Sequence, residues 1–125
     1  VTGCLADTHA LLWWLSDDPR LSERARTVMA AGALAVLFSA ASIWEAEIRA
    51  AAGKLALPDE LLTALKADRF VELPITARHA REAARLAPLH RDPFDRMIVA
   101  QARLEGLVVI SADSKFADYG VEVLW

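Results

Sequence analysis

Leu34-Ala35-Val36-Leu37-Phe38 is an apolar run with no polar interruption. A strand with one face in water alternates apolar and polar residues. A run without alternation predicts a strand covered on both faces, as in a parallel sheet flanked by helices. Gly3-Cys4-Leu5-Ala6 and Leu107-Val108-Val109-Ile110 have the same character, and Phe70–Leu73 and Val121–Leu124 supply two further strands. Helical stretches separate them: His9–Leu15, Ser22–Ala31 stopped by Gly32, Ser42–Ala52 before Gly53, Pro58–Ala67, and an Ala/Arg-rich run from Thr76. Strands alternating with helices predict an α/β fold with a central parallel sheet and helices on both faces.

The 125 residues suffice for one domain, residues 1–125, around one sizeable core. Apolar residues make up 55% and charged ones 25%, a globular balance. A net charge of −3 gives no global field toward nucleic acid, so any such binding must come from local patches. Lys54, Lys66 and Lys115 are the only lysines, and the arginines that dominate suit bidentate phosphate contact. The lone Cys4 excludes an internal disulfide and fits a reducing, cytoplasmic setting. No charge falls between Arg26 and Glu45, close to the minimum for a membrane span. That stretch contains Gly32, Ser39 and Ser42 and changes character halfway. It reads as helix end, strand and helix start, and no membrane association is expected.

His90-Arg91-Asp92-Pro93-Phe94-Asp95-Arg96-Met97-Ile98 is the most chemically dense stretch. Pro93 fits the first turn of a helix, with Asp92 at the N-cap and Asp95 within the first turn. Met97, Ile98, Ala102 and Leu104 are expected to form the buried stripe, and Gly106 to end the helix.

Ligands of open parallel sheets bind beyond the carboxyl ends of the strands. Asp7 lies one residue past the first strand, Asp113 three past Ile110, and Ser39 directly past Phe38. Glu45 is expected early in the helix after Ser39, and Asp95 opens the helix that feeds the Leu107 strand. Each acid also has an ordinary role open to it. Asp7 and Asp113 could cap helices, Glu45 could complete a capping box with Ser42, and Asp95 could serve its helix dipole. Four carboxylates meeting at one edge would repel one another unless a cation sat among them. Oxygen ligands without a Cys/His cluster favour Mg²⁺ or Mn²⁺ over zinc. Such an ion suits phosphodiester hydrolysis.

Leu5–Trp13, Ser39–Glu45, Gly53-Lys54-Leu55, His90–Met97 and Ser111-Ala112-Asp113 together resemble the PIN-domain ribonucleases of the VapC toxin type. The resemblance implies a three-layer α/β domain and a divalent-metal-dependent endoribonuclease using Mg²⁺ or Mn²⁺. It also implies a homodimer, a VapB-type antitoxin as partner, and structured or single-stranded RNA as substrate. The family's acids fall on Asp7, Glu45, Asp95 and Asp113, and its hydroxyl residue two before the last acid falls on Ser111. Three positions depart from the family pattern: Ala6 replaces a larger aliphatic residue, Glu47 adds an acid, and Val1 stands where a start methionine is expected.

Among the neighbours, Asp92 is a cap or an acid that orients the site. Arg91 and Arg96 could hold RNA phosphates or form salt bridges within the site. Arg49, Lys54 and the Arg78/Arg81/Arg85 row could extend a phosphate track or simply be solvated. His90 and His9 could touch the metal or the substrate and are read as hydrogen-bonding neighbours of the site, His79 as lying on a solvated helix face, and Trp13, Trp14 and Trp44 as core or interface. Two other functions compete with the nuclease: phosphotransfer through an aspartyl-phosphate on Asp7, and a non-enzymatic, dimeric partner-binding module. The first lacks a second acid at position 9, which is His9, and the second would show no saturable metal binding.

Overall fold

The computed structural model describes residues 3–125, so Val1 lies outside the described residues. Five strands form one sheet: β1 (Gly3–Ala6), β2 (Ala35–Ser39), β3 (Val71–Leu73), β4 (Val108–Ile110) and β5 (Val123–Leu124). Their order is β3-β2-β1-β4-β5, and every neighbouring pair is parallel. The helices are α1 (Thr8–Leu15), α2 (Glu23–Ala31), α3 (Ala40–Ala51), α4 (Leu61–Ala67), α5 (Ala77–Arg85) and α6 (Pro93–Glu105), with a 3₁₀ turn at Ser114–Tyr119.

Alternate residues of the strands face opposite layers, which is why the apolar runs are unbroken. Cys4, Ala6, Val36, Phe38, Val108 and Ile110 pack with Ala10, Leu11, Ala25, Met29, Leu61 and Leu65 on one face. Leu5 and Val109 pack with Leu86, Ile98, Val99, Ala102, Phe116 and Tyr119 on the other. The result is helices, sheet, helices. Gly106 ends α6 at a positive φ of 67°, where a Cβ would be strained. Among the described residues, no helix is long and apolar enough to cross a membrane.

Four local expectations are corrected. Ser42 does not cap α3. The cap is Ser39, whose hydroxyl accepts from the Ala41 amide, while Ser42 is buried inside the helix and accepts from the Thr8 hydroxyl at 3.0 Å. α4 begins at Leu61, not Pro58, and Glu60 makes no side-chain cap. The buried face of α6 runs through Ile98, Val99, Ala100, Gln101 and Ala102, leaving Met97 and Leu104 partly exposed. His79 is buried, not solvated. It completes a capping box with Thr76, and its Nε2 lies 3.0 Å from Glu105.

Candidate functional site

The chain runs from β1 to β2 to β3 in one direction across the sheet, then returns to place β4 and β5 on the other side of β1. The order therefore reverses between β1 and β4, the position at which ligands of open parallel sheets bind. Asp7 and the Ser111-Ala112-Asp113 turn sit at that point. The Asp7 amide donates to the Ile110 carbonyl at 3.0 Å, which extends the β1–β4 ladder by one residue and fixes Asp7 in place.

Asp7 is only 6% exposed. It caps α1, with Oδ1 accepting from the Ala10 amide at 2.8 Å. Burial pushes its carboxyl pKa upward. The Ser111 hydroxyl, the Ala10 amide and the charge of His9 oppose that shift, while Glu45 adds to it. Ser111 is itself buried, and its hydroxyl also accepts from the Asp113 amide at 2.9 Å. The same hydroxyl works to hold the Asp7 carboxyl pKa down, so the turn after β4 stands beside the acid after β1.

Glu45 enters from α3. Because Ser39 is the cap, Glu45 falls in the second turn rather than the first, on the buried side of the helix. It is 7% exposed, and its Oε1 is buried without a hydrogen-bond partner. Its Oε2 is 3.8 Å from the Arg49 guanidinium, the outer limit of an ion pair. A buried carboxylate oxygen without a donor is costly unless a cation supplies the missing charge.

Asp95 stands on the first turn of α6, above the cap formed by Asp92, which accepts from the amides of Phe94 (2.8 Å) and Asp95 (3.4 Å). Its carboxyl is pushed up to about 7, first by burial and then by the negative charge of Asp92, with Asp7 and Glu45 adding to it and His90 opposing. Three acids therefore act electrostatically on this one group.

Asp113 caps the 3₁₀ turn through the Lys115 amide at 2.9 Å. Partial burial works to raise its carboxyl pKa. The Lys115 amide, the His90 imidazole and the Lys115 charge outweigh that and hold it below the usual carboxylate range. His90 joins the two sides: its Nε2 is 3.3 Å from Asp95 Oδ2 and 3.2 Å from Asp113 Oδ2. The ligand atoms of His90, Asp95 and Asp113 all lie within 4.8 Å of one another.

Among the described residues, the possible ligand atoms that lie within 4.8 Å of one another are those of His90, Asp95 and Asp113; Asp7 and Glu45 stand outside that group, and their charges act on Asp95. This donor set fits a hard divalent cation on two observations: oxygen ligands dominate it, and Glu45 Oε1 is orphaned.

The remaining candidates separate. Arg96 is half-buried, and among the described residues it forms no salt bridge. Its guanidinium donates to the carbonyls of Ala83, Leu86, Ala87 and His90. Arg91 is exposed, as are Arg78, Arg81, Arg85 and Glu47. Trp14 packs on Phe70 and donates to Asp68 at 2.9 Å, and Trp13 contacts Trp125 edge-on. Trp44 is 63% exposed and meets Phe94 edge-on. The bridging position of His90 was not legible from its sequence neighbours, because Asp113 is remote in the chain. The spacing of Arg49 four residues after Glu45 was the available signal for that pair.

A family model described as PIN domain matches residues 4–122. Among curated proteins nothing matches the chain. Of solved structures, VapBC2 from Rickettsia felis bound to a promoter DNA fragment aligns with a TM-score of 0.70 at 13% identity, over 96% of this chain and 96% of that one. A toxin–antitoxin complex from Klebsiella pneumoniae gives 0.70 at 19% identity, over 98% and 97%. DNA-bound VapBC from Salmonella typhimurium gives 0.68 at 18% identity, over 99% and 98%. At such identities, these structures speak for the fold.

Proposed function

The chain belongs to the PIN-domain family, and from that premise we propose that it is a divalent-metal-dependent endoribonuclease acting as the toxin of a toxin–antitoxin pair. The observation that supports this reading is the close approach of Asp95 and Asp113 through His90 where the strand order reverses, with the charges of Asp7 and Glu45 acting on Asp95 and one buried Glu45 oxygen left without a partner among the described residues. In this reading residues 1–125 form a single nuclease domain.

Asp7, Glu45, Asp95 and Asp113 would hold Mg²⁺ or Mn²⁺. When bound, such an ion polarises a phosphoryl oxygen and acidifies a water. The chain's own groups bind and orient. The Ser111 hydroxyl and Ala10 amide aim the Asp7 carboxylate, and the Lys115 amide and His90 fix Asp113. Asp92 fixes the first turn that carries Asp95. Arg49, partly exposed beside Glu45, is placed to receive a phosphate of the strand. A single-stranded segment suits this site best, since its backbone and bases are free to be splayed.

The partners follow from the same reading: a VapB-type antitoxin that covers the site, and a second copy of the chain. Trp44 and Ile48, both exposed on α3, support the second copy by offering an apolar face beside the site.

The test is RNA cleavage with and without EDTA, comparing the wild type with Asp7→Asn. Cleavage that needs the metal and is lost in Asp7→Asn supports the proposal. Full cleavage in chelator or in the variant defeats it. Saturable metal binding without cleavage of any RNA would also defeat it, in favour of a partner-binding module.

A further inference from the structure

His90 does more than neighbour the acids. Its Nε2 is almost equidistant from Asp95 Oδ2 and Asp113 Oδ2, at 3.3 and 3.2 Å. A ring nitrogen that donates one proton makes one good hydrogen bond, here the one to Asp113, and that proton does not account for the equally close approach to Asp95. Donors that share a six-coordinate ion at about 2.1 Å from each stand about 3.0 Å from their nearest neighbours, close to the spacing seen here.

The ring is held in that pose from several sides. The His90 amide donates to the Tyr119 hydroxyl at 2.8 Å, and that hydroxyl donates to the Ala87 carbonyl at 2.7 Å. The His90 carbonyl accepts from Arg96 at 3.2 Å, and the ring leans on Phe116 with centroids 6.0 Å apart. The side chain is only 13% exposed. A ligand whose orientation is fixed before the ion arrives costs little entropy when it binds. The orphaned Glu45 Oε1 is a second and independent sign that a cation belongs at this site.

We infer that His90 is itself a metal ligand, binding through Nε2 together with Asp95 and Asp113, and that the site therefore favours Mn²⁺ over Mg²⁺. An imidazole nitrogen is a softer donor than a carboxylate. Mn²⁺ accepts it more readily than Mg²⁺, which prefers an all-oxygen shell. This rests on the metal-dependent reading above but goes further, because it assigns a nitrogen ligand and an ion preference.

The experiment loads the full chain with Mn²⁺ alone and measures electron spin echo envelope modulation, which detects nitrogen coordinated directly to the ion. Expected are a coordinated imidazole nitrogen in the wild type, its loss in His90→Gln, and its retention in His9→Gln. By calorimetry, Mn²⁺ affinity should fall on the order of tenfold or more in His90→Gln, and Mg²⁺ affinity by less. The glutamine amide can still donate to the two acids, and the melting temperature without metal reports whether the variant folds. Mn²⁺ bound by the wild type with no nitrogen coupling overturns the ligand assignment while leaving an all-oxygen site standing. A signal that survives in His90→Gln, or equal affinity losses for both ions, overturns it as well. No Mn²⁺ binding at all defeats the metal-dependent reading itself.

Discussion

The guanidinium of Arg96 donates to the carbonyl oxygen of His90 at 3.2 Å, so the helix carrying Asp95 also grips the loop that brings His90 over Asp95. The same guanidinium reaches the carbonyls of Ala83, Leu86 and Ala87, binding the end of α5 and its following loop to the start of α6. Arginine is needed for this because its planar fork can serve several acceptors at once, whereas a lysine ammonium is a single point. Arg96→Lys should therefore destabilise the fold by about 2 kcal/mol, and Arg96→Ala by about 3 kcal/mol. Urea denaturation checks both. Loss below about 0.5 kcal/mol in either would show that these bonds do not hold the loop.

The sequence made the parallel sheet legible through its unbroken apolar runs, since a strand buried on both faces cannot hide its pattern. The caps at Asp7 and Asp92 and the glycine stops at Gly32 and Gly106 were legible for the same local reason. Ser42 misled because its spacing to Glu45 fits a capping box, while Ser39 three residues earlier had a free hydroxyl at the strand end. His79 and Arg96 were misread for a different reason. Their partners, Glu105 and the α5 carbonyls, lie 26 and up to 13 residues away, and no short spacing reports a tertiary contact. His90 was read as a hydrogen-bonding neighbour and is one, but its partner Asp113, 23 residues away, could not be named from spacing.

Glu45 carries a buried oxygen with no partner, so without metal its charge works against folding. Glu45→Gln should raise the melting temperature of the metal-free protein and weaken metal binding about tenfold. At a metal concentration of about 100 times the wild-type Kd, the ion's stabilisation should fall from about 2.7 to about 1.4 kcal/mol. Thermal denaturation across a Mn²⁺ titration reads both effects. A lower melting temperature without metal would mean that Glu45 is already satisfied by Arg49.

Trp44 contributes little to the monomer, being 63% exposed with one edge-on contact to Phe94. Trp44→Ser should cost less than about 1 kcal/mol of monomer stability. If α3 supplies the face that joins two copies, Trp44→Ser combined with Ile48→Ser should convert a dimer to a monomer in sedimentation velocity. An unchanged sedimentation coefficient would move the contact elsewhere.

Asp95 gives the pH dependence a sign. Its carboxyl pKa is about 7 in the folded chain against 3.8 as the unperturbed value, so the folded state holds the proton more tightly. The resulting stability is complete below about pH 4 and drains away as pH rises toward 7. Asp7, also raised by burial, slopes the same way. Asp113, lowered, slopes oppositely and loses its contribution as pH falls. Asp95→Asn removes only the first of these, so the difference between variant and wild type isolates it. That difference should be small near pH 4 and grow to about 2 kcal/mol in favour of the variant by pH 8, once the solvent-facing edge of the carboxyl is allowed for. The same proton must leave when a cation takes its place. Calorimetry of Mn²⁺ binding at pH 6 in buffers of different ionisation enthalpy should therefore show about one proton more released by the wild type than by Asp95→Asn. Equal proton release from both proteins would mean that Asp95 is ionised before the metal arrives, and the pH-dependent difference in stability should then vanish with it.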